Sequence, residues 1–225
     1  MNKIAFITGG SRGIGRDAAL KLAEQNIDII LTYHRNEKAA LDVVEKIKEK
    51  GQNAFAIQSD IRDITLFDDL VKSLSFVLKE QFGRESFDYL LNNAGTGLHT
   101  SIEETSIDDL DDMLNIHVKG PFFLTQKLLP LIENGGHIVN ISSGLTRFSM
   151  PGSAAYAMAK GAVEVMTRYM AKEFASKGIR VNTIAPGAIA TDFRDGAVRN
   201  SEQVQGMIAS ITALGRVGEA DDVGK

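Results

Sequence analysis

The stretch Thr8-Gly9-Gly10-Ser11-Arg12-Gly13-Ile14-Gly15 joins the apolar run Ile4–Ile7 to the first helical pattern of the chain. Its glycines fit a tight turn, close approach of the backbone to a pyrophosphate, and close packing of helix on strand. Amides at the start of a helix also favour phosphate. The spacing is G-x3-G-x-G instead of the common G-x-G-x-x-G, so a tight turn without ligand is the alternative. As dinucleotide contacts at this turn we predict Gly9, Ser11, Arg12, Ile14 and Gly15.

Short apolar runs alternate with longer amphipathic stretches along the rest of the chain. Six runs have the length and β-branched content of buried strands: Ile4–Ile7, Ile27–Tyr33, Ala54–Ile57, Tyr89–Leu91, Ile138–Ile141 and Val181–Ile184. The helical patterns between them span Gly13–Asn26, Glu37–Lys50, Asp63–Phe82, Ser106–Glu133 and Ala155–Lys177. This alternation predicts an α/β fold, a Rossmann-type doubly wound parallel sheet with helices on both faces. No linker divides the chain, so we predict a single domain over residues 1–225.

The composition narrows the possible functions. The 225 residues carry a net charge of −4, which argues against nucleic acid and a membrane surface as partners. The chain has 0 cysteines, which excludes disulfides, thiolate metal sites and a cysteine nucleophile, and we expect no bound metal. No apolar run has the length of a membrane span, and no signal peptide is evident. We therefore expect a cytoplasmic protein.

The end of the second predicted strand bears on the choice of nucleotide. A carboxylate about 20 residues past the glycines would hold a ribose 2′-hydroxyl. Residues 32–36 read TYHRN and contain no carboxylate. The guanidinium groups of Arg35 and Arg12 suit a 2′-phosphate, because they can form bidentate bonds with it. The sequence therefore favours NADP(H) over NAD(H); in the alternative, Arg35 only faces solvent.

A tyrosine and a lysine lie four residues apart near the start of a predicted helix. The spacing of Tyr156 and Lys160 places phenol and ammonium on one helix face. A nearby cation lowers the pKa of a phenol, as a general acid/base for carbonyl–alcohol interconversion requires. Ser143 follows the fifth predicted strand, where its hydroxyl can bond a substrate carbonyl. Without Ser143, the pair would fit a solvated helix face better.

Motifs at successive strand ends give the chain a specific resemblance. The chain resembles a short-chain dehydrogenase/reductase of the compact single-domain branch over essentially its whole length. The motifs are TGGSRGIG at 8–15, Asp60-Ile61, NNAG at 92–95, Ser143, Tyr156 with Lys160, and Pro186-Gly187 followed by Thr191. Each motif is modest, but their joint occurrence in this order is specific. The family's spacing between serine and tyrosine selects Ser143 over Ser142.

The resemblance implies a role for each matching position. Tyr156 exchanges the alcohol proton, Lys160 lowers the pKa of Tyr156 and binds the nicotinamide ribose, and Ser143 polarises the carbonyl. Asp60 accepts from the adenine amino group, and Ile61 offers a backbone contact. Further cofactor contacts are implied for Asn93, Ala94, Gly95, Pro186, Gly187, Ile189 and Thr191. The hydride belongs to the nicotinamide.

One position departs from the family pattern. The family often has asparagine before a V-K-G-x-F-like stretch, whereas His117 precedes Val118–Phe122 here. Asn115 lies two residues earlier and should point to another helix face. His117 either holds a water on the proton path to Lys160 or is a packed helix histidine, and both interpretations stay open. We include His117 among the candidate catalytic residues.

The leading hypothesis is an NADP(H)-dependent oxidoreductase that interconverts a carbonyl and a secondary alcohol, with tyrosine as general acid/base. Two substrate classes are open: a 3-oxoacyl thioester, as for the family's fatty-acid ketoreductases, or a sugar, polyol or small hydroxy compound, as for its glucose-dehydrogenase-like members. A non-catalytic dinucleotide-binding regulator on the same fold is the alternative. Residues 190–215 are polar and contain several glycines. They form either a substrate lid or a surface helix pair.

Two further expectations concern association and chain length. The helices Ser106–Glu133 and Ala155–Lys177 carry apolar residues on more than one face. The resemblance implies a homodimer or homotetramer through them, whereas burial against the sheet alone is the alternative. Family members continue through a helix and a seventh strand. We therefore expect the last helix and strand to be missing after Lys225, with Glu219–Lys225 as the first turns of that helix.

Overall fold

The computed structural model describes residues 2–224, which contain one six-stranded parallel sheet. The strands are β1 (Lys3–Ile7), β2 (Ile27–Tyr33), β3 (Ala54–Gln58), β4 (Phe87–Asn92), β5 (Ile132–Ile141) and β6 (Arg180–Ile184). They lie in the order β3-β2-β1-β4-β5-β6, and every neighbouring pair is parallel. The order reverses between β1 and β4, which is the point at which open α/β sheets bind ligands. The predicted Rossmann-type fold is confirmed.

Helices cover both faces of the sheet. They are α1 (Gly13–Glu24), α2 (Glu37–Glu49), α3 (Phe67–Phe82), α4 (Ile107–Leu114), α5 (Gly120–Leu128), α6 (Ala154–Glu173), α7 (Glu202–Ile211) and α8 (Asp221–Gly224). Alternate side chains of β1 point to opposite faces, as a strand requires. Ala5 and Ile7 pack with residues of α1 and α2, whereas Ile4 and Phe6 pack with residues of α3, α5 and α6. Because both faces are covered, the strands read as apolar runs.

The helix predicted over Ser106–Glu133 is interrupted twice. The residues between α4 and α5, Asn115–Lys119, form a π-helical turn, in which the N–H of Gly120 donates to Asn115 O. Pro121 has no N–H, so the regular ladder cannot continue there. Pro130 likewise ends α5 in the 3-10 turn Leu129–Leu131. The prediction of helix to Glu133 is therefore wrong, and β5 begins at Ile132.

The segment after β6 contains a 3-10 turn and two short helices. Within the predicted lid, residues 190–215, Phe193–Gly196 forms the 3-10 turn and α7 follows it. The predicted terminal helix corresponds to α8, and Lys225 lies outside the described residues. Within residues 2–224, no helix is long and apolar enough to cross a membrane.

Candidate active site

The glycine-rich turn lies between β1 and α1, at the switch point of the sheet. Gly9 and Gly13 have φ of 66° and 56°, in the left-handed region that glycine adopts readily. A Cβ at Gly9 would lie 2.9 Å from Ala94 Cα, so the turn packs directly on the loop after β4. The N-cap residue Arg12 makes no side-chain cap, and the first turn of α1 has no acidic residue. The first amides of α1 are therefore available to an anion.

A cleft of about 550 Å³ lies at the carboxyl ends of the central strands. Its volume falls within the range of roughly 300–1,000 Å³ that is typical of ligand pockets. The predicted cofactor residues that line it are Gly9, Ser11, Arg12, Ile14, Arg35, Asp60, Ile61, Asn93, Ala94, Gly95, Tyr156, Lys160 and Thr191. The cleft joins the uncapped α1 amides to the cations of the β2 end and to Tyr156. These residues fit a nicotinamide dinucleotide.

Gly15, Pro186, Gly187 and Ile189 do not line this cleft, although a cofactor contact is predicted for each. A Cβ at Gly15 would lie 2.4 Å from Gly9 O, so this glycine allows close packing of α1 instead. Pro186 O accepts the N–H of Gly144 at 2.8 Å. Ile189 forms a parallel bridge with Gly218. The last two contacts hold the segment after β6 in place.

At the β2–β3 end of the cleft, the carboxylate of Asp60 already has two side-chain partners, Arg62 and His34. Arg62 Nε lies 3.3 Å from both Asp60 oxygens, and Arg62 Nη2 donates to Oδ2 at 3.2 Å. His34 Nε2 lies 3.2 Å from Asp60 Oδ2. Burial raises the pKa of Asp60, but the backbone and side-chain hydrogen bonds of Arg62 outweigh it and lower the pKa overall. Asp60 is therefore not the free acceptor for adenine that the resemblance implies, and the sequence did not indicate Arg62 or His34.

Two asparagines at the end of β4 hold the floor of the cleft. Asn93 Nδ2 donates to Thr8 O and Gly9 O, both at 3.0 Å, and so fixes the glycine-rich turn. Asn92 Nδ2 donates to Asn140 Oδ1 at 2.8 Å and braces β4 against β5. Asn93 lines the large cleft, whereas Asn92 lies beneath it.

The ends of β5 and α6 bring Ser143, Tyr156 and Lys160 together. Ser143 lies just past the end of β5, close enough to Tyr156 for its hydroxyl to lower the pKa of the phenol. Lys160 Nζ lies 5.7 Å from the centroid of the Tyr156 ring and donates to Ile141 O at 2.7 Å. Ser142 bonds α6 instead, with Oγ 3.2 Å from Lys160 O. Ser142 thus faces α6, whereas Ser143 lies on the side of Tyr156.

Burial sets the pKa of both titratable groups in this cluster. It raises the pKa of Tyr156 to about 12, against weaker lowering by the Ser143 hydrogen bond and by Arg194. It also lowers the pKa of Lys160 to about 7. The resemblance implies that Lys160 lowers the pKa of Tyr156. In this structure desolvation has the largest effect on the pKa of Tyr156 and raises it, and Arg194 is the cation that lowers this pKa.

His117 is buried beside Tyr156, with its ring centroid 5.2 Å away in an edge-on arrangement. Its Nε2–H donates to Thr96 O at 2.7 Å, because a carbonyl oxygen only accepts. Burial lowers the pKa of His117 to about 3, and the nearby Lys160 adds to this lowering. The imidazole is therefore neutral near pH 7, with Nδ1 as a bare acceptor. Nδ1 has no hydrogen-bond partner in the described part of the chain.

A second, much smaller cavity lies beside His117 and Lys160. Its volume is about 10 Å³, close to what one water-sized sphere occupies. His117, Lys160, Asn92 and Asn140 are among its lining residues. Asn92 Oδ1, like His117 Nδ1, has no hydrogen-bond partner within residues 2–224. Two unpartnered acceptors and one ammonium thus surround a space for one small molecule.

The predicted lid also reaches the site. The Phe193 ring centroid lies 5.8 Å from that of Tyr156. A Cβ at Gly97 would lie 2.7 Å from Phe193 Cε1 and from Arg194 Cδ, so the lid and the loop after β4 interlock there. Arg194 and Asp195 have φ of 53° and 55°, which are strained values for residues with a side chain. The sequence indicates this segment but not Phe193, because only the folded chain places the Phe193 ring beside Tyr156.

Metal ligands are not clustered in the described structure. Among residues 2–224, no group of three or more histidine, cysteine, aspartate or glutamate side chains could hold a metal ion.

This chain is similar to known proteins over nearly its whole length. The family model described as short chain dehydrogenase matches residues 3–202. The 3-oxoacyl-[acyl-carrier-protein] reductase FabG of Staphylococcus aureus is 37% identical over 225 residues, covering 99% of this chain and 88% of that protein. The promiscuous reductase LugOII of lugdunomycin biosynthesis, which catalyses keto-reduction at C1, is 39% identical with a TM-score of 0.93, covering 99% of this chain and 87% of that one.

A further solved structure contains a cofactor. The angucycline C-6 ketoreductase LanV with bound NADP is 33% identical with a TM-score of 0.93, covering 99% of this chain and 85% of that one. Sequence and fold therefore agree over nearly the whole length. The chain belongs to the short-chain dehydrogenase/reductase family of NAD(P)-dependent oxidoreductases that act on carbonyl and alcohol groups.

Proposed function

We propose that this protein is an NADP(H)-dependent ketoreductase in which Tyr156 is the general acid/base. The observation that carries the proposal is the position of the buried Lys160 Nζ 5.7 Å from the centroid of the Tyr156 ring, with Ser143 just past the end of β5. When bound, the nicotinamide supplies or accepts the hydride. Ser143 and Tyr156 then offer two hydroxyl donors to one carbonyl oxygen, and Tyr156 transfers the proton. A neutral phenol is the form that reduction requires, and its pKa of about 12 keeps it protonated.

The small cavity supports a relay role for His117 in preference to simple packing. A water there can donate to His117 Nδ1 and Asn92 Oδ1 and accept from Lys160 Nζ, so its three hydrogen bonds are satisfied. Such a water would link Lys160 Nζ through hydrogen bonds to His117 and Asn92. In this proposal the neutral imidazole orients the water and does not itself exchange a proton.

The preference for NADP(H) rests on charge at the β2 end of the cleft. Arg12 and Arg35 line the cleft and are exposed, and the Asp60 carboxylate is engaged by Arg62 and His34. A 2′-phosphate at the β2 end would therefore meet the guanidinium group of Arg35. The bound NADP of the ketoreductase LanV supports the same choice.

Apolar side chains near the reaction centre favour an apolar ketone, such as a 3-oxoacyl thioester, over a sugar. Phe193 packs beside Tyr156, and Phe148, which is 74% exposed, lies by the loop that follows Ser143. The names of the relatives, a 3-oxoacyl-[acyl-carrier-protein] reductase and an angucycline ketoreductase, support this class. A non-catalytic regulator is not favoured, because the complete Ser/Tyr/Lys set comes together.

Association and location remain predictions of the sequence. On α5 and α6, Phe122, Val165 and Tyr169 are 43%, 45% and 66% exposed in the single chain, as a helical interface of a homodimer or homotetramer requires. Mass measurement in solution tests this. We propose a cytoplasmic location, which localisation of the tagged protein tests.

The enzymatic proposal is tested by following NADPH oxidation with acetoacetyl-CoA, 1-tetralone and, for the reverse reaction, glucose with NADP. We expect turnover of a ketone and none of glucose. Tyr156→Phe should lower kcat by about 10²–10⁴-fold, because the proton donor is lost. NADPH binding should persist in this variant. Unchanged turnover by Tyr156→Phe would refute the assigned role.

A further inference from the structure

Glu164 lies one helical turn after Lys160 on α6 and reaches the loop that carries Ser143, residues 142–146 (the serine loop). Its Oε1 atom accepts hydrogen bonds from Ser142 Oγ at 3.0 Å and from Thr146 Oγ1 at 2.8 Å. These two donors lie on either side of Ser143 along the chain. A single oxygen atom of α6 thus ties both flanks of Ser143 to the helix that carries Tyr156 and Lys160.

We propose that Glu164 is a positioning residue, which holds the Ser143 hydroxyl in line with the Tyr156 phenol; this inference rests on the proposed function. Ser143 Oγ accepts the N–H of Leu145 at 3.2 Å, a bond within its own loop. Its location therefore follows the serine loop. Glu164 does not line the cofactor cleft, so it acts on turnover and not on cofactor binding.

The contacts of the serine loop explain why the loss of Glu164 should shift the loop without unfolding the chain. Each flanking hydroxyl has a second acceptor: Ser142 Oγ lies 3.2 Å from Lys160 O, and Thr146 Oγ1 lies 2.9 Å from Ser143 O. A hydroxyl donates one proton at a time. Without Glu164, both protons turn to these carbonyls, so no buried donor is left unpaired. The two hydrogen bonds that join the serine loop to α6 through Glu164 are nevertheless lost.

Three variants separate positioning from general damage. Glu164→Leu should lower kcat by about ten- to hundredfold, because misplacing a reacting group by about 1 Å has effects of this size. The Kd for NADPH should not change. Glu164→Gln keeps a carbonyl oxygen as acceptor and should stay within about threefold of the wild-type kcat, since only the charge assistance is lost. Glu173→Leu, at an exposed position of the same helix, is the matched control and should not change kcat.

A double-mutant cycle tests whether Glu164 acts through Ser143. In a Ser143→Ala background, Glu164→Leu should cause no further loss of kcat, because the hydroxyl that it positions is already absent. An equal loss in both backgrounds, a glutamine variant as slow as the leucine variant, or a wild-type kcat for Glu164→Leu would each overturn the proposal. If Glu164→Leu does not fold, Thr146→Val, which removes one of the two bonds, replaces it in the same cycle.

The same measurements distinguish failure of this inference from failure of the proposed function. A slow Ser143→Ala variant together with a fully active Glu164→Leu variant rejects the positioning role alone. Full activity of both Ser143→Ala and Tyr156→Phe rejects the proposed catalytic set, and the positioning role with it.

Discussion

Replacing His117 by asparagine should make the fold more resistant to acid. His117 is 2% exposed, and burial holds its pKa at about 3, against the ordinary value of 6.5. Between these values the unfolded chain binds a proton that the folded chain does not. Because the pKa in the fold is the lower one, the free energy of unfolding is unaffected above about pH 6.5 and falls as the pH drops toward 3.

The size of the effect follows from the pKa of the unfolded chain. At about pH 5, the pH lies about 1.5 units below the unfolded value, and each unit corresponds to about 1.36 kcal/mol. His117 should therefore lower the free energy of unfolding by about 2 kcal/mol between about pH 8 and about pH 5. At this pH the result hardly depends on the pKa in the fold, because the folded imidazole is neutral in either case.

Urea denaturation at both pH values, at fixed protein concentration, measures this difference. The wild type should lose about 2 kcal/mol more than His117→Asn on acidification, whatever the stability of the variant at the higher pH. Carboxyl groups elsewhere contribute equally to both proteins and cancel. His99→Asn, at an exposed position, is the control and should behave as wild type. Equal losses for wild type and His117→Asn would show that His117 is not held neutral in the fold.

Three further outcomes follow from the site. Gly15→Ala should lower the free energy of unfolding by about 1–3 kcal/mol through overpacking. Gly161→Ala should not lower it, because the added Cβ would meet no neighbouring atom within 4 Å. Thermal denaturation of the two variants measures the difference. Arg35→Gln should weaken binding of NADPH more than that of NADH in fluorescence titrations, and equal weakening would contradict the 2′-phosphate role. NADPH binding at about pH 8 should take up a proton, because a nearby anion raises the pKa of Lys160. Calorimetry in two buffers should detect this uptake in the wild type and not in Lys160→Met.

The elements that the sequence predicts well are those with a local signature. The apolar run before Thr8 and the glycines after it mark the strand, the turn and the helix within a few residues. Asn93 and Ser143 then identify two strand ends that a parallel sheet brings to one edge, and Tyr156 with Lys160 marks the helix that follows the second of them. The order of these motifs along the chain is enough to place them together, because a parallel sheet brings the carboxyl ends of its strands to the same edge.

The features that the sequence does not reveal depend on contacts between distant segments. Proline at 121 and at 130 breaks the long predicted helix, yet only the backbone shows that the first break is a π turn and that the second leads into β5. Asp60 reads as a free acceptor until Arg62 is seen to occupy both of its oxygens. Glu164 reads as one more charge on an amphipathic helix, because its partners lie about twenty residues earlier.

The pKa values of the site have one common cause. Tyr156, His117 and Lys160 are all shifted toward their neutral forms, and burial is the largest cause for each. For Lys160, burial is the cause of the shift. Its pKa of about 7 therefore lies where a small change in local charge decides between ammonium and amine. A group that gains and loses a proton near neutral pH, beside a phenol that must donate or accept one, is what reversible carbonyl–alcohol chemistry requires. The same desolvation that raises the pKa of Tyr156 thus prepares Lys160 to exchange protons in response to a bound anion.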